Sequence, residues 1–212
     1  MCSHCMKNNG CGCSSKRDDC INLGPFKAVD AACIAKLAPI KPDGPSGSII
    51  PFSSGITPIV LATIAGGLVS TVSVIGMGSA VPGVSIAGNT IDLTGIVTES
   101  FSVPRAGTIT GISASFTVAV GVNLLGTTTV NAKVYKAPAG SSIFTATNAT
   151  VNLEPSFTGL LAVGNTASGS ATFAPIPVEQ GERLIMVISI EATGVTIIQE
   201  LTGTVSAGIT IA

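Results

Sequence analysis

Charge is what this sequence has least of. Of its 212 residues, ten are Lys or Arg and eleven are Asp or Glu, where an ordinary soluble domain carries about a quarter ionised residues. Ten dispersed cations do not make the basic surface that neutralises phosphates, so no nucleic-acid partner is expected. Trp is absent, the aromatics are seven Phe and Tyr135, and the single histidine is His4. No cysteine follows Cys33. Past that residue neither a Ser-His nor a Cys-His pair can be assembled, and no glycine run is followed by the Lys-Ser or Lys-Thr of a phosphate loop. Asp92, Glu99, Glu154, Glu179, Glu182, Glu191 and Glu200 remain as carboxylates, with no local spacing that marks an acid-base pair. The chain is therefore expected not to be an enzyme and to need no cofactor. Disorder is excluded too, because 46% of the residues are apolar and disordered chains combine low hydrophobicity with high charge.

What is present falls into two materials. Cys2, Cys5, Cys11, Cys13, Cys20 and Cys33 all lie in the first 33 residues with His4, and ten charges lie in residues 1–43. Residues 44–212 hold the other eleven, none of them between Gly44 and Ile91. The expected organisation is a cysteine-rich connector over 1–43, a Gly/Pro/Ser linker over 44–55 with Gly44, Gly47 and Gly55 as its joints, and a β domain over 56–212. Prolines and glycines at the junction remove helix and ladder options from the backbone. Within the connector, Val29, Cys33, Ile34 and Leu37 have the spacing of a short helix. Residues 1–10 contain no apolar signal core, so synthesis in the cytosol without a signal peptide is expected. Ile56 to Ile75 is long and uncharged enough to be flagged as a membrane span. It lacks flanking positive charge and shares its Ser, Thr, Gly and Val makeup with later segments; a buried pair of strands explains it better, and no membrane partner is expected.

The body reads as short strands. Ile112, Ala114, Phe116 and Val118 share one face of a stretch whose other face is Ser and Thr, the two-residue period of a half-buried strand. Val130, Ala132 and Val134 repeat it, with Asn131, Lys133 and Tyr135 facing away. Leu184 to Ile190 is apolar on both faces until Ser189, as a central strand would be. It follows an acidic turn at Val178–Arg183 built on Gly181. Further strands are expected at Ser100–Val103, Phe144–Thr147, Thr150–Leu153, Ser170–Phe173, Val195–Leu201 and Ser206–Ile211. Turn residues separate them every 8 to 15 positions, which predicts an all-β sandwich or barrel with little helix.

The six cysteines admit several readings. Cys2-x-x-Cys5 and Cys11-x-Cys13 with His4 supply zinc ligands, but five residues between the pairs are fewer than zinc ribbons use, and no metal is assigned. The thiols pair within the connector, pair between connectors of neighbouring subunits, or stay reduced. The body has no cysteine, so any cross-link joins connector to connector.

Gly44-Pro45-Ser46-Gly47-Ser48-Ile49-Ile50-Pro51-Phe52-Ser53-Ser54-Gly55 resembles the junction at which a collagen-like tract enters the C-terminal domain of Bacillus exosporium collagen-like glycoproteins. Gly66-Gly67-Leu68-Val69, Glu99 to Gly107 and Gln180 to Leu184 continue the resemblance. It implies a jelly-roll β-sandwich of the tumour-necrosis-factor or C1q type, forming a homotrimer on the spore surface. Only Gly44 and Gly47 keep the Gly-x-y step, too few for a triple helix, and the cysteine connector stands in its place. In that plan the chain is similar to endospore appendage fibre subunits, whose connectors form disulfides with neighbouring subunits. The resemblance implies a self-assembling structural subunit of a spore-surface fibre or exosporium layer, cross-linked through its N-terminal cysteines. Its partners would be copies of itself and other spore-coat or exosporium proteins. A second reading is a trimeric carbohydrate- or receptor-binding module using loops such as Thr158 to Gly169.

Overall fold

A computed structural model of the chain describes residues 47–96, 100–194 and 198–212. The six cysteines, His4, Gly44 and the expected helix at Val29–Leu37 lie outside the described residues. Among the described residues there are thirteen strands and no helix. They are β1 (Ser48–Ser53), β2 (Ile59–Thr63), β3 (Val69–Ile75), β4 (Ala80–Ser85), β5 (Thr90–Asp92), β6 (Phe101–Ser102), β7 (Gly107–Val118), β8 (Val122–Ala137), β9 (Ile143–Asn152), β10 (Phe157–Leu161), β11 (Thr166–Val178), β12 (Arg183–Thr193) and β13 (Glu200–Ile211).

Their antiparallel pairing is nested. β1 pairs with β13, β6 with β12, β7 with β11 and β8 with β9, so the first and last strands close around the next pair inward. β13 also pairs with β7, and β12 with β8. This gives one sheet in the order β1-β13-β7-β11 and a second in the order β6-β12-β8-β9. Two sheets wound with paired ends nested in this way are a jelly roll. The β2–β3 hairpin bridges them, since β2 lies on β13 and β3 on β12. It occupies the Ile56–Ile75 stretch, and its buried pair of strands is the one expected there.

Alternation explains the core. Ile109, Ile112, Ala114, Phe116 and Val118 of β7 face Val130, Ala132 and Val134 of β8 and Leu184, Met186, Ile188 and Ile190 of β12 across the sandwich. Phe116 is fully buried, its ring tilted 58° to that of Phe157 at 6.1 Å. β12 carries apolar residues on both faces, as a central strand must, and Ile185 and Val187 belong to a second cluster with Val72, Val74, Val84, Ile91, Leu93, Ala137 and Phe144. That cluster exists because residues between β3 and β6 fold over the outer face of the second sheet.

Four expectations are corrected. Tyr135, expected to face solvent, does point away from the main core, yet it is 5% exposed because the second cluster covers it. The stretch 44–55, expected as a linker, holds strand β1, with all six residues registered on β13. Gly55 is a fixed turn rather than a joint: its φ is +64°, its N–H donates to Ser53 Oγ at 3.1 Å, and a Cβ there would strike the carbonyl of Gly78. Phe144–Thr147 and Thr150–Leu153 are one strand, β9, where the Thr147 hydroxyl donates to the Val134 carbonyl and absorbs a shift in register. Thr158–Gly169, expected as a loop, is most of β10 and the start of β11, joined at residues 162–165.

Candidate functional site

Among the described residues no converging catalytic set emerges; the surfaces that stand out are a face and an end poor in charge, with the exposed Glu200 at the start of β13 bordering both. The first is the outer face of β1-β13-β7-β11. The inward residues of these strands are apolar, so the pleat sends the alternate ones outward. Register brings them into rows. Thr166, Thr117 and Thr204 form one row; Ser168, Ser115, Ser206 and Ser53 the next. Ser170, Ser113, Gly208 and Pro51 form the third, and Thr172, Gly111, Thr210 and Ile49 the fourth. None of these residues is ionisable. Gly111 and Gly208 leave a trough of about 420 Å³ between Ile49, Ser113, Ser170 and Thr210. A Cβ at either glycine would make ordinary van der Waals contact, at 3.6 Å or more, so the trough is as deep as the missing side chains.

The second is one end of the sandwich. The turns at residues 64–68, 119–121 and 162–165, with the approach to β13 at residue 198, all lie at the end where β13 begins. They and the adjoining strands expose Ile64, Leu68, Val120, Leu125, Leu160, Val163 and Ile198, with Leu160 at 84%. No Lys, Arg, Asp or Glu occurs in residues 64–68, 119–127, 157–167 or 192–199. Buried polar groups hold these turns together. Gln199 donates its N–H to Thr63 Oγ1 at 2.9 Å and accepts from the Leu125 N–H through Oε1 at 2.9 Å. Gly67 accepts from the Ala192 N–H at 2.8 Å. Of this end, sequence reasoning named only Thr158 to Gly169; the signal for the rest was an apolar residue beside glycine, without charge, in each of the three turns.

The opposite end carries the charge. Lys136 donates to Glu182 at 3.0 Å and to the Pro177 carbonyl at 3.1 Å, and Glu182 caps the expected acidic turn by accepting the Glu179 N–H at 2.9 Å. Arg183 donates to Ser100 Oγ and to the Ser141 carbonyl and lies over the Phe144 ring at 5.4 Å. Lys136 and Glu182 satisfy each other, Arg183 is satisfied by a hydroxyl and a carbonyl, and all three fasten turns. Ser48 is registered on Ile211 at this same end, so the chain enters the domain at the charged end, opposite the apolar one.

No family model matches the chain. It is 32% identical over 178 residues, 79% of its length, to collagen-like protein 1 of Acanthamoeba polyphaga mimivirus, and spans 19% of that relative. Among solved structures, Eiger tumour necrosis factor of S. frugiperda overlaps 77% of this chain and 92% of its own, at 8% identity and a TM-score of 0.34. The infectious bursal disease virus Gx strain structure overlaps 74% of this chain and 34% of its own, at 15% identity and a TM-score of 0.30. The jelly-roll assignment rests on the nested strand pairs, and the similarity in sequence is to a protein described as collagen-like.

Proposed function

We propose that the chain is a self-assembling structural subunit whose jelly roll trimerises through the outer face of β1-β13-β7-β11. The observation that carries this reading is the lack of charge in four register-aligned rows, mostly of hydroxyls, around a glycine trough, with Glu200 at the start of β13 as the one carboxylate at their edge. Interface cores are depleted in charged residues, and small side chains allow close approach of a second sheet. Trimers then stack end to end through the apolar loops, a heterologous contact that does not close and so continues as a fibre. Cys2, Cys5, Cys11, Cys13, Cys20 and Cys33 of the connector cross-link to the connectors of neighbouring subunits. The setting is a spore surface: an exosporium layer or appendage, exposed to oxidant after synthesis in the reducing cytosol. The role is non-catalytic.

Light scattering after size exclusion, in reductant, tests the trimer. The expected mass is three times 21.0 kDa, and Ser115→Lys, placed at the middle of the hydroxyl rows, shifts it to one. A wild-type monomer, or a Ser115→Lys trimer, overturns the reading. Stacking and cross-linking are tested separately. Fibres are expected in electron micrographs of oxidised protein, with a ladder on non-reducing gels that collapses on reduction. Dissolution by chelator but not by reductant would exclude disulfide locking.

A further inference from the structure

On the outer face of β8 and β12 the side chains change character at matched positions. Tyr135 faces Ile185, Lys133 faces Val187, Asn131 faces Ser189, and Glu191 sits opposite Thr129. The second apolar cluster covers Tyr135, Ile185 and Val187 and stops there. A groove of about 370 Å³ opens at that boundary, walled by Ile86 and Asn89 on the covering layer and by Lys133, Asn131, Ser189 and Glu191 on the sheet. Only ten described residues are ionisable acids or bases of the Asp, Glu, Lys and Arg kind, and two of them line this one groove.

Those groups are free. Among the described residues nothing bonds the Lys133 ammonium, the Glu191 carboxylate, the Ser189 hydroxyl or the Tyr135 hydroxyl. Among the described residues the one buried side-chain polar atom without a partner is Thr128 Oγ1, so the Tyr135 hydroxyl, though its ring is enclosed, reaches solvent at the groove. Asn131 is held in place, its Nδ2 donating to Asn152 Oδ1 at 2.7 Å and to Thr150 Oγ1 at 3.0 Å. The site thus has a fixed amide at its centre and a rigid sheet as its floor.

We propose that this groove binds an acidic sugar of one or two rings. Lys133 and Tyr135 lie two residues apart on the same face and donate together to a carboxylate. A single Lys supplies one unit of positive charge without the fork that phosphate recognition favours. The middle of the groove offers Ser189 and Asn89, which match sugar hydroxyls, and the second lone pair of the Asn131 carbonyl oxygen, whose first accepts from Thr150 Oγ1 at 3.2 Å. Glu191 is registered four residues from Lys133, about 13 Å along the strands, and accepts hydroxyl donors from the far side of the ligand. The groove lies on the sheet opposite the hydroxyl face, so the assignment does not rest on the trimer reading.

Saturation-transfer NMR on the full chain, kept reduced, tests it with glucuronic acid as the probe and glucose as its neutral counterpart. Wild type is expected to bind glucuronic acid at least about tenfold more tightly than glucose, the effect of one charge-assisted hydrogen bond. Lys133→Met and Tyr135→Phe each weaken glucuronic acid while leaving the melting transition and the light-scattering mass unchanged. Equal binding of the two sugars, wild-type affinity in Lys133→Met, or no transfer to glucuronic acid from wild type overturns the assignment.

Discussion

Gly203 is where the sandwich has least room. It lies in β13 opposite Val118 of β7, on the inward side and buried. A Cβ at this position would sit 2.7 Å from Cε2 of Phe116 and closer still to its Cζ and to the carbonyl oxygen of Thr117. Phe116 cannot swing away, because it is fully enclosed and held in a tilted ring contact with Phe157. The Thr117 carbonyl belongs to the ladder and cannot rotate without losing its bond. Gly203→Ala therefore imposes overpacking, with one obstacle a side chain and the other backbone.

Overpacking of a filled core costs about 1–3 kcal/mol, and an immovable carbonyl places this substitution at about 2–3 kcal/mol. For a domain of this size that lowers the melting temperature by about 4–12 °C. The assay is urea unfolding in reductant at fixed protein concentration, since assembly makes apparent stability concentration-dependent. Phe116→Leu in the same chain removes the ring obstacle and leaves the carbonyl. The double variant should lose less than the two single losses added, with a coupling of about 1 kcal/mol. A Gly203→Ala protein within about 0.5 kcal/mol of wild type, or strict additivity with Phe116→Leu, would refute the steric account.

Tyr135 is the single tyrosine in a chain without Trp, so tyrosinate absorbance reports on it alone. Burial raises its pKa above the ordinary 10.0, so the folded state holds the proton more tightly than the unfolded state does. The stability this contributes is complete below about pH 10 and is lost as pH rises through the folded value; titration at or below the value found in urea would contradict it. Thr128→Val removes a buried hydroxyl without a partner and should raise stability by up to about 1 kcal/mol in the same urea assay, whereas a loss would reveal a partner for that oxygen. Gly55→Ala forces a side chain onto a backbone at φ +64° beside Gly78 and should cost at least about 1 kcal/mol; a linker glycine would tolerate it without effect.

The parts of the fold that were legible are those where neighbouring residues differ strongly in polarity. In β7, Ser and Thr alternate with Ile, Ala, Phe and Val, and the buried set is the one the alternation names. In β12 the loss of alternation announced burial on both faces. Where every residue is small the contrast vanishes. Thr166 to Gly169 reads Thr-Ala-Ser-Gly, a loop by composition, yet it is strand because each residue pairs with β7. Similarly Gly203 reads as a break between Val195–Leu201 and Ser206–Ile211, and it is continuous strand because only glycine fits beneath Phe116. Such constraints come from residues distant in sequence.

The same reasoning explains why the surfaces were harder to read than the core. A buried face is marked by what it contains, whereas a candidate interface on this protein is marked by charge that is missing. Absence of charge over Gly44 to Ile91 was visible at once, but it belongs to three different places: β1 on the hydroxyl face, the β2–β3 turn at the apolar end, and β3 and β4 under the second cluster. Only register separates them. Once separated, the few charges divide by role as well. Lys136, Glu182 and Arg183 fasten turns at one end, and Lys133 and Glu191 stand free at a groove. Arg105, Glu154, Glu179 and Glu200 also stand free, but singly in solvent; what sets Lys133 and Glu191 apart is that two ions of opposite sign wall one groove in a protein so poor in charge.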